Sequence, residues 1–272
     1  MRIIFLGDVM GRTGRDGVAQ RLPQLKADLQ ADFAVVNGEN AAGGYGLTDK
    51  ICRELNAAGA DIVTTGNHVW DQREFMQQID ALPYVLRPLN LPAGQPGRGF
   101  AFATNKDGKR LLVIHAMGQL GMEPVDSPFI AIDRVLKDHP LGQKTDAILV
   151  DLHAEMTSEK MGMGHFCDGR ASLVIGTHTH VPTADTMILP NGTGYQTDAG
   201  MCGDYDSVIG MSKDEAVFRM STRLPTLAKM KPAENEATLC GVLVVTDDKT
   251  GLATEIHPLR VGGRLSQAIP KA

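Results

Sequence analysis

The sequence predicts an α/β fold, specifically a layered α/β/α sandwich with mixed central sheets. In the first half of the chain, short runs of almost wholly apolar residues alternate with segments whose apolar residues recur every three or four positions. This alternation is typical of parallel strands in a sheet that helices cover on both faces. Elsewhere, pairs of apolar runs are separated by short turn sequences, which predicts hairpins and therefore antiparallel strands in the same sheets.

Five apolar runs are predicted to form parallel strands, and polar residues follow each of them. In chain order, the runs are Arg2–Leu6, Asp32–Val36, Asp61–Thr65, Asp146–Asp151 and Ser172–Ile175. Helices are predicted through Val18, Leu22, Leu25 and Leu29, over Thr48–Ala58 and over Phe129–Lys137. We expect Thr48 to cap its helix and Thr13 to cap the first helix, because threonine hydroxyls accept hydrogen bonds from free helix amides.

Turn residues predict three hairpins. Asn105–Gly108 separates one pair of apolar runs, while Asn191–Gly192 divides Thr186–Thr197 and Asp247–Gly251 divides Thr238–Ile256. Neither a linker rich in proline, glycine and serine nor a low-complexity tract divides the chain. We therefore expect residues 1–272 to form a single domain.

The composition argues against several classes of protein. The chain has 272 residues, of which 43% are hydrophobic and 22% are charged, and this argues against disorder, collagen and coiled coils. No apolar stretch approaches the ~18 residues of a membrane helix and no export signal is apparent, so we expect a soluble cytoplasmic protein. A net charge of −5 without a basic cluster argues against binding of duplex nucleic acid. The four cysteines form no CxxC pair, and we expect reduced thiols.

Residues that can bind metal follow all five predicted parallel strands. They are Asp8, Asn37, Glu39, Asn40, Asn67, His68, His153, His178 and His180. In open α/β sheets functional side chains gather beyond the carboxyl ends of the strands, so we expect these residues to share one crevice. His115 also ends an apolar run, but its run belongs to a predicted hairpin. We therefore expect His115 to be a core or edge histidine whose hydrogen bonds are satisfied.

The set combines three candidate ligand histidines, two carboxylates and up to three amide oxygens, which predicts a site for two divalent cations. Imidazole together with carboxylate and amide oxygens favours iron or manganese over zinc. These ligands are too many for one tetrahedral ion, so we expect two metals that share a carboxylate. Such a pair holds a phosphate and lowers the pKa of a bridging water, which supplies hydroxide for attack at phosphorus.

Taken singly, some of these motifs have a plain structural explanation. Asn37–Asn40 could be a simple turn, since asparagine and glycine favour turns. Gly176–His180 is stronger evidence, because we expect this segment to be extended, and His178 and His180 would then point the same way. The Gly43–Gly46 loop could cradle a phosphate through its amides, although loop flexibility explains its glycines better.

These motifs resemble the calcineurin-like metallophosphoesterase superfamily. The matching residues are Gly7-Asp8, Gly66-Asn67-His68, His153 and Gly176-Thr177-His178-Thr179-His180. Met10 stands in place of a ligand histidine of the superfamily, and Glu39 in place of its bridging aspartate. Both departures are similar to the YmdB-type bacterial phosphodiesterase branch, which the chain resembles over essentially its whole length.

This resemblance implies a dinuclear metal phosphodiesterase that acts on small phosphodiesters such as 2′,3′-cyclic nucleotides by attack of a metal-bridging hydroxide. It implies that one metal is held by Asp8, Glu39, Asn40 and His180, and the other by Glu39, Asn67, His153 and His178. Glu39 would bridge the two metals. His68 resembles the catalytic histidine of the superfamily, which is not a metal ligand.

Two other functions stay open at the level of the sequence. One is a phosphomonoesterase or nucleotidase that uses the same metal centre, and the other is a regulatory protein whose metal site only stabilises the fold. We expect neither a membrane nor duplex nucleic acid as a partner. The sequence leaves a homo-oligomer open.

Overall fold

The computed structural model describes residues 1–225 and 230–270 and contains two mixed six-stranded sheets. With strands numbered along the chain, the first sheet consists in spatial order of Ala253–Val261 (β14), Leu239–Thr246 (β13), Arg2–Leu6 (β1), Phe33–Asn37 (β3), Ile62–Thr64 (β4) and Val85–Leu86 (β5). Strands β1, β3, β4 and β5 pair in parallel, whereas β13 is antiparallel to both of its neighbours.

The second sheet consists of Met187–Ile188 (β10), Gly194–Gln196 (β11), Leu173–Thr177 (β9), Ala147–His153 (β8), Arg110–Met117 (β7) and Phe100–Thr104 (β6). Its four inner strands are parallel, and β10 and β6 are antiparallel edges. Asp8–Val9 (β2) and Met201–Cys202 (β12) form a separate short parallel pair. The helices are Gly11–Asp28 (α1), Asp49–Ala57 (α2), Phe75–Gln78 (α3), Pro128–Asp138 (α4), Thr157–Cys167 (α5) and Lys213–Thr222 (α6).

The two sheets pack face to face, and helices cover their outer faces. Phe5 of β1 and Val113 of β7 belong to one buried cluster between the sheets. Ile4 packs on the opposite face of β1, in a cluster with Leu22 of α1. A third cluster joins α4 and α5 to the second sheet. The predicted α/β sandwich with mixed sheets is confirmed, and its central part consists of two stacked sheets.

Most elements predicted from the sequence are present within a few residues. Thr48 caps α2 as predicted, since its hydroxyl accepts from the amide of Ile51 at 3.3 Å. All three predicted hairpins form, as β6–β7, β10–β11 and β13–β14. The predicted cap at Thr13 is wrong, because α1 begins at Gly11, directly after Met10, and Thr13 lies in its first turn.

The carboxyl ends of the parallel strands of both sheets meet at one edge of the molecule. Asp151 in β8 connects the sheets there, since it accepts from the Thr64 hydroxyl at 2.6 Å and from the Asn37 amide at 3.2 Å. The amide of His178, just after β9, donates across the sheets to Asp8 at 3.3 Å. The strand ends singled out in the sequence therefore face one another.

The four cysteines are free and buried, as predicted. Among the described residues, we find no helix with the length and apolar character that crossing a membrane requires.

Candidate metal centre

Asp8, Glu39 and His153 form a buried cluster where the two sheets meet. Their ligand atoms lie within 4.8 Å of one another, and all three side chains are almost fully buried. Asp8 Oδ1 and Glu39 Oε2 are buried but make no hydrogen bond in the described structure. Because a buried carboxylate oxygen without a partner is costly, these two oxygens indicate a place for a cation.

The hydrogen bonds of His153 leave its Nε2 atom without a proton. The Thr177 hydroxyl donates to a buried carboxylate at 2.8 Å, so it accepts from His153 Nδ1 at 3.0 Å. The unprotonated Nε2 lies 2.5 Å from Glu39 Oε2 and 3.1 Å from both Asn67 Oδ1 and His178 Nδ1. His178 Nε2 lies 3.2 Å from Glu155 Oε2, which places the proton of this ring on Nε2 and leaves Nδ1 without one. Four electron-pair donors therefore converge, which is what a divalent metal site requires.

His180 and Asn40 present a second pair of free donor atoms. His180 Nδ1 donates to the carbonyl of Ile209 at 2.7 Å, so its Nε2 carries no proton. The amide nitrogen of Asn40 donates to the carbonyl of Gly44 at 3.0 Å, which turns Oδ1 towards the histidine. His180 Nε2 and Asn40 Oδ1 lie 3.1 Å apart. This pair also suits a metal that binds imidazole and amide oxygen.

Gly66 leaves the space that the donor atoms occupy. A Cβ atom at this position would overlap Glu39 Oε2 and crowd His153 Nε2. Any larger residue would therefore displace the carboxylate and the imidazole from each other. This close approach explains the glycine in the Gly66-Asn67-His68 motif.

Burial makes ionisation of the acids in this cluster unfavourable. Burial, followed by repulsion from Asp198, Glu39 and Asp151, raises the pKa of Asp8 well above its ordinary value. Burial also raises the pKa of Glu39. Conversely, burial lowers the pKa of the ligand histidines predicted from the sequence, which are His153, His178 and His180. Neutral imidazoles beside uncompensated acids are the condition in which a bound cation is most favoured.

The backbone of Gly176–His180 is extended only as far as Thr177, the end of β9, and turns from His178 onwards, contrary to the prediction. His178 and His180 have φ angles of 101° and 66°, in the left-handed region that non-glycine residues rarely adopt. Their rings do not point the same way, since His178 Nδ1 faces His153 and His180 Nε2 faces Asn40. The turn lets two histidines that are close in sequence serve two different groups of donors.

Asp198 holds this turned segment in place. Its carboxylate accepts from the amide and the hydroxyl of Thr179 at 3.1 and 2.7 Å, and from the amide of Gly200 at 2.8 Å. Lys160 of α5 forms an ion pair with the same carboxylate at 2.7 Å, and both side chains are 1% exposed. Strained φ angles persist only where surrounding contacts enforce them, and these bonds supply that restraint.

A network of buried polar side chains lies next to the cluster of candidate metal-binding atoms. Asn37 is not part of the donor cluster: its amide nitrogen donates to the Thr65 carbonyl at 2.8 Å and its oxygen accepts from the amide of Glu39 at 3.0 Å.

His115 is buried, as predicted, with Nδ1 3.2 Å from Asp151 Oδ2. Apart from this contact with Asp151, the ring nitrogens of His115 have no hydrogen-bonding partner in the described structure, so the expectation of satisfied hydrogen bonds is confirmed only in part. Burial acts to raise the pKa of Asp151, but His115 and Thr64 outweigh it and the pKa is lowered.

His68 lies on the wall of the cavity that the donors line. Its main-chain amide donates to Glu39 Oε1 at 2.6 Å, so the backbone of His68, and not its ring, contacts this carboxylate. The ring Nδ1 lies 2.7 Å from Asp71 Oδ2, and the edge of Tyr45 contacts the ring at a centroid distance of 5.2 Å. The Asp71 carboxylate keeps the proton on Nδ1 and leaves Nε2 for a ligand.

The cavity has a volume of about 520 Å³, within the usual range for small-molecule sites. Its described walls include Glu39, Asn40, His68, His178 and His180. Asp8, Asn67 and His153 do not line the open space; they lie in or beside the buried cluster behind it.

The Gly43–Gly46 loop borders the cavity but does not present a cradle of free amides. The amides of Gly43, Gly44 and Tyr45 donate to carbonyls of residues 40–42, just before the loop, at 3.2, 3.0 and 3.3 Å. Amides that are already bonded in this way do not bind a phosphate. The glycines instead allow positive φ angles of 65°, 97° and 73° at Gly43, Gly44 and Gly46.

Sequence patterns missed the residues that orient the site. Asp71 follows His68 by three residues, and this spacing is the one feature of the sequence that could have indicated a contact between the two side chains. The Thr177 hydroxyl, the Asp198 carboxylate and Lys160 act through contacts between distant segments. No local pattern reveals such contacts.

Replacing Lys160 with methionine is expected to lower the free energy of unfolding by about 3–5 kcal/mol, because it leaves the Asp198 carboxylate buried without its cation. Urea denaturation of the full-length protein measures this change. Lys213→Met is the matched control, because Lys213 is exposed and pairs with Asp206 at the surface. The control should lose no more than about 1 kcal/mol. An equal loss in both variants would contradict the role of the buried pair.

Acidification is expected to shrink the stabilisation that added Mn²⁺ confers. The pKa values of Asp8 and Glu39 are raised in the folded state. Without metal, these two groups therefore stabilise the folded protein at low pH, and this stabilisation is lost as the pH rises through their folded-state pKa values. A cation needs both groups ionised and therefore competes with protons. We expect the rise in Tm with Mn²⁺ to fall by more than about half between about pH 7.5 and pH 5. A rise that does not change with pH would contradict metal binding at these acids.

The chain is similar to known proteins over nearly its whole length. A family model described as YmdB-like protein matches residues 4–259. A 2′,3′-cyclic-nucleotide 2′-phosphodiesterase of Bacillus subtilis (strain 168) is 45% identical over 261 residues, which are 96% of this chain and 97% of that protein. A solved structure of a hypothetical protein from Thermus thermophilus is 41% identical with a TM-score of 0.88, and the match covers 99% of this chain and 100% of that chain. The structure of a novel phosphatase from Mycoplasma pneumoniae is 33% identical with a TM-score of 0.87, over 96% of this chain and 93% of that chain.

Proposed function

The chain belongs to the YmdB-like family, and we propose that it is a metal-dependent phosphodiesterase that hydrolyses 2′,3′-cyclic nucleotides. The convergence of unprotonated donor atoms on His153 Nε2 carries this proposal, because such a cluster suits a cation that binds phosphate. The name of the 45% identical Bacillus relative supports the substrate class.

We propose that two divalent cations bind at the strand ends. In this proposal Glu39, Asn67, His153 and His178 hold one cation, and Asp8, Glu39, Asn40 and His180 hold the other, with Glu39 shared. When bound, the cations would supply positive charge for the phosphate and a water of lowered pKa as the nucleophile.

His68 is proposed to act as the general acid. Asp71 fixes the ring so that Nε2 is available to the cavity, and the main-chain contact to Glu39 holds the residue beside the donor cluster. When water attacks phosphorus, the bond from phosphorus to the 2′ oxygen breaks. His68, as the imidazolium paired with Asp71, gives this oxygen the proton of Nε2, the attacking water loses one proton to the solvent, and the products are a 2′ hydroxyl and a 3′ phosphate.

We propose iron or manganese rather than zinc as the native metal. The proposed ligand atoms are imidazole nitrogens, carboxylate oxygens and amide oxygens, and none is a thiolate. Elemental analysis of protein purified without added metal tests this assignment, and zinc as the sole metal would contradict it. A cytoplasmic location and a homo-oligomer stay predictions.

The choice of a diester substrate is tested by turnover. Wild-type protein loaded with Mn²⁺ should hydrolyse adenosine 2′,3′-cyclic phosphate, and it should cleave bis-p-nitrophenyl phosphate faster than p-nitrophenyl phosphate. The alternative is a phosphomonoesterase with the same metal centre, which the description of the Mycoplasma relative as a phosphatase favours. Faster cleavage of the monoester would support that alternative.

A further inference from the structure

The cavity has a second wall that the proposed reaction leaves without a role. This wall is formed by residues of α6 and of the loop before it, together with Met230. Its apolar part contains Met211, Met220 and Ile209. Thioethers pack well against flat aromatic rings, so this surface suits a nucleobase.

Arg219 and Arg223 bring two positive charges to the same wall. Arg219 lies in the last turn of α6 and Arg223 directly follows the helix, and the amide of Arg223 donates to the carbonyl of Arg219 at 3.0 Å. Arg219 Nη1 donates to the Met230 sulfur at 3.1 Å, but a thioether is a weak acceptor and leaves the guanidinium largely free. Both side chains are exposed to solvent at the cavity.

These two arginines have no acidic partner among the described lining residues. Glu39 is the one carboxylate there, and it is already assigned to the metals. The helix dipole favours cations near the end of any helix, so it accounts for arginines on α6. It does not account for guanidinium groups on the wall of the cavity that contains the donor cluster.

This inference rests on the proposed function. A cyclic mononucleotide carries a single phosphate, and the metal donors take that group. We infer that Arg219 and Arg223 bind a second phosphate of the substrate, so that the favoured substrate is a nucleoside 2′,3′-cyclic phosphate that carries another phosphate on its 5′ side. Guanidinium groups bind such phosphates through charge-assisted hydrogen bonds.

Three substrates that differ on the 5′ side test the inference. They are adenosine 2′,3′-cyclic phosphate, the same compound with a 5′ phosphate, and the dinucleotide ApA with a terminal 2′,3′-cyclic phosphate. We expect KM to be about 5- to 20-fold lower for at least one of the two compounds with the extra phosphate. A gain with the 5′ phosphate alone indicates a terminal phosphate, and a gain with the dinucleotide indicates an internal diester.

The double variant R219Q/R223Q should remove this preference, so that the KM values of the three substrates become equal. Lys213→Gln is the matched control, since Lys213 is an exposed cation of the same helix that does not line this cavity. The control should keep the preference. Equal KM values for all three substrates in the wild type, or a preference that survives in the double variant, would overturn the inference.

Binding measurements separate this inference from the proposed function. Calorimetry should show that wild-type protein binds adenosine 3′,5′-bisphosphate about 5- to 20-fold more tightly than adenosine 3′-phosphate, and that R219Q/R223Q does not distinguish them. If no cyclic substrate is hydrolysed but this difference is present, the proposed function fails and the second-phosphate site stands. If the cyclic substrates are hydrolysed but the difference is absent, the second-phosphate site fails alone.

Discussion

Replacing Glu39 with glutamine is expected to lower phosphodiester hydrolysis by about 10³-fold or more and to weaken metal binding by more than about 100-fold. The substitution keeps the size of the side chain, and the glutamine oxygen can still accept from the amide of His68. It removes the negative charge that contacts His153 Nε2 at 2.5 Å and that both proposed metals share. The effect is therefore on charge and not on packing.

Metal content by elemental analysis and turnover of bis-p-nitrophenyl phosphate are the two measurements for this variant. Glu54→Gln is the control, because Glu54 lies on the outer surface of α2 and pairs loosely with Lys50. A Glu39→Gln protein with full metal content and full activity would show that Glu39 is not the shared ligand. A wild-type protein that binds metal but hydrolyses no phosphate ester would instead favour a regulatory role.

The stability of the metal-free variant provides a third, independent readout. Burial raises the pKa of Glu39, so ionised Glu39 is unfavourable in the metal-free fold. The metal-free Glu39→Gln protein should therefore be at least as stable as the wild type, while its gain from Mn²⁺ should disappear. A variant that simply misfolds would lose stability without metal as well.

The sequence predicts well where the site lies, because the apolar runs that predict the strands are local patterns. Parallel strands bring their carboxyl ends to one edge, so Asp8, Glu39 and His153 could be placed together from their positions after three runs. The partner of Asn40 was not predictable in this way. Its oxygen meets His180 only because its own amide is held by the Gly44 carbonyl.

The direction of each side chain depends on contacts that no local pattern contains. A two-residue spacing predicts that His178 and His180 share a direction in an extended chain. Asp198, from the far side of the β10–β11 hairpin, fixes Thr179 between them, and the chain turns. Lys160, on another helix, neutralises that carboxylate. Contacts of this kind appear only after the sheets have assembled.

Met10 illustrates how a departure from a superfamily pattern changes the site. A thioether is a poor ligand for a hard dication, and in the structure Met10 packs with Met201 and Met211 on the cavity wall. The position that carries a ligand histidine in the superfamily is therefore part of an apolar surface in this chain. Asn40, rather than residue 10, presents an oxygen to His180, at 3.1 Å.

Replacing His68 with alanine is expected to lower kcat for phosphodiesters by about 10²–10⁴-fold while the metal content stays unchanged. Two features of His68 separate these effects. Its main-chain amide holds Glu39 Oε1 at 2.6 Å, and alanine keeps that amide. Its ring contacts Asp71 and Tyr45 but none of the converging donor atoms, so removing the ring removes a proton donor and leaves the ligands in place.

Steady-state kinetics with elemental analysis tests this prediction, and added imidazole should restore part of the lost activity. His257→Ala is the control, because the His257 side chain is 42% exposed and pairs with Glu255 in β14. Asp71→Asn should lower kcat less than His68→Ala, by about 10-fold, since it disturbs the orientation of the ring and not its presence. Loss of metal in His68→Ala would show that His68 is a metal ligand. An unchanged kcat with full metal content would show that another group donates the proton to the leaving oxygen. Only a large loss of kcat with full metal content is consistent with His68 acting as the general acid.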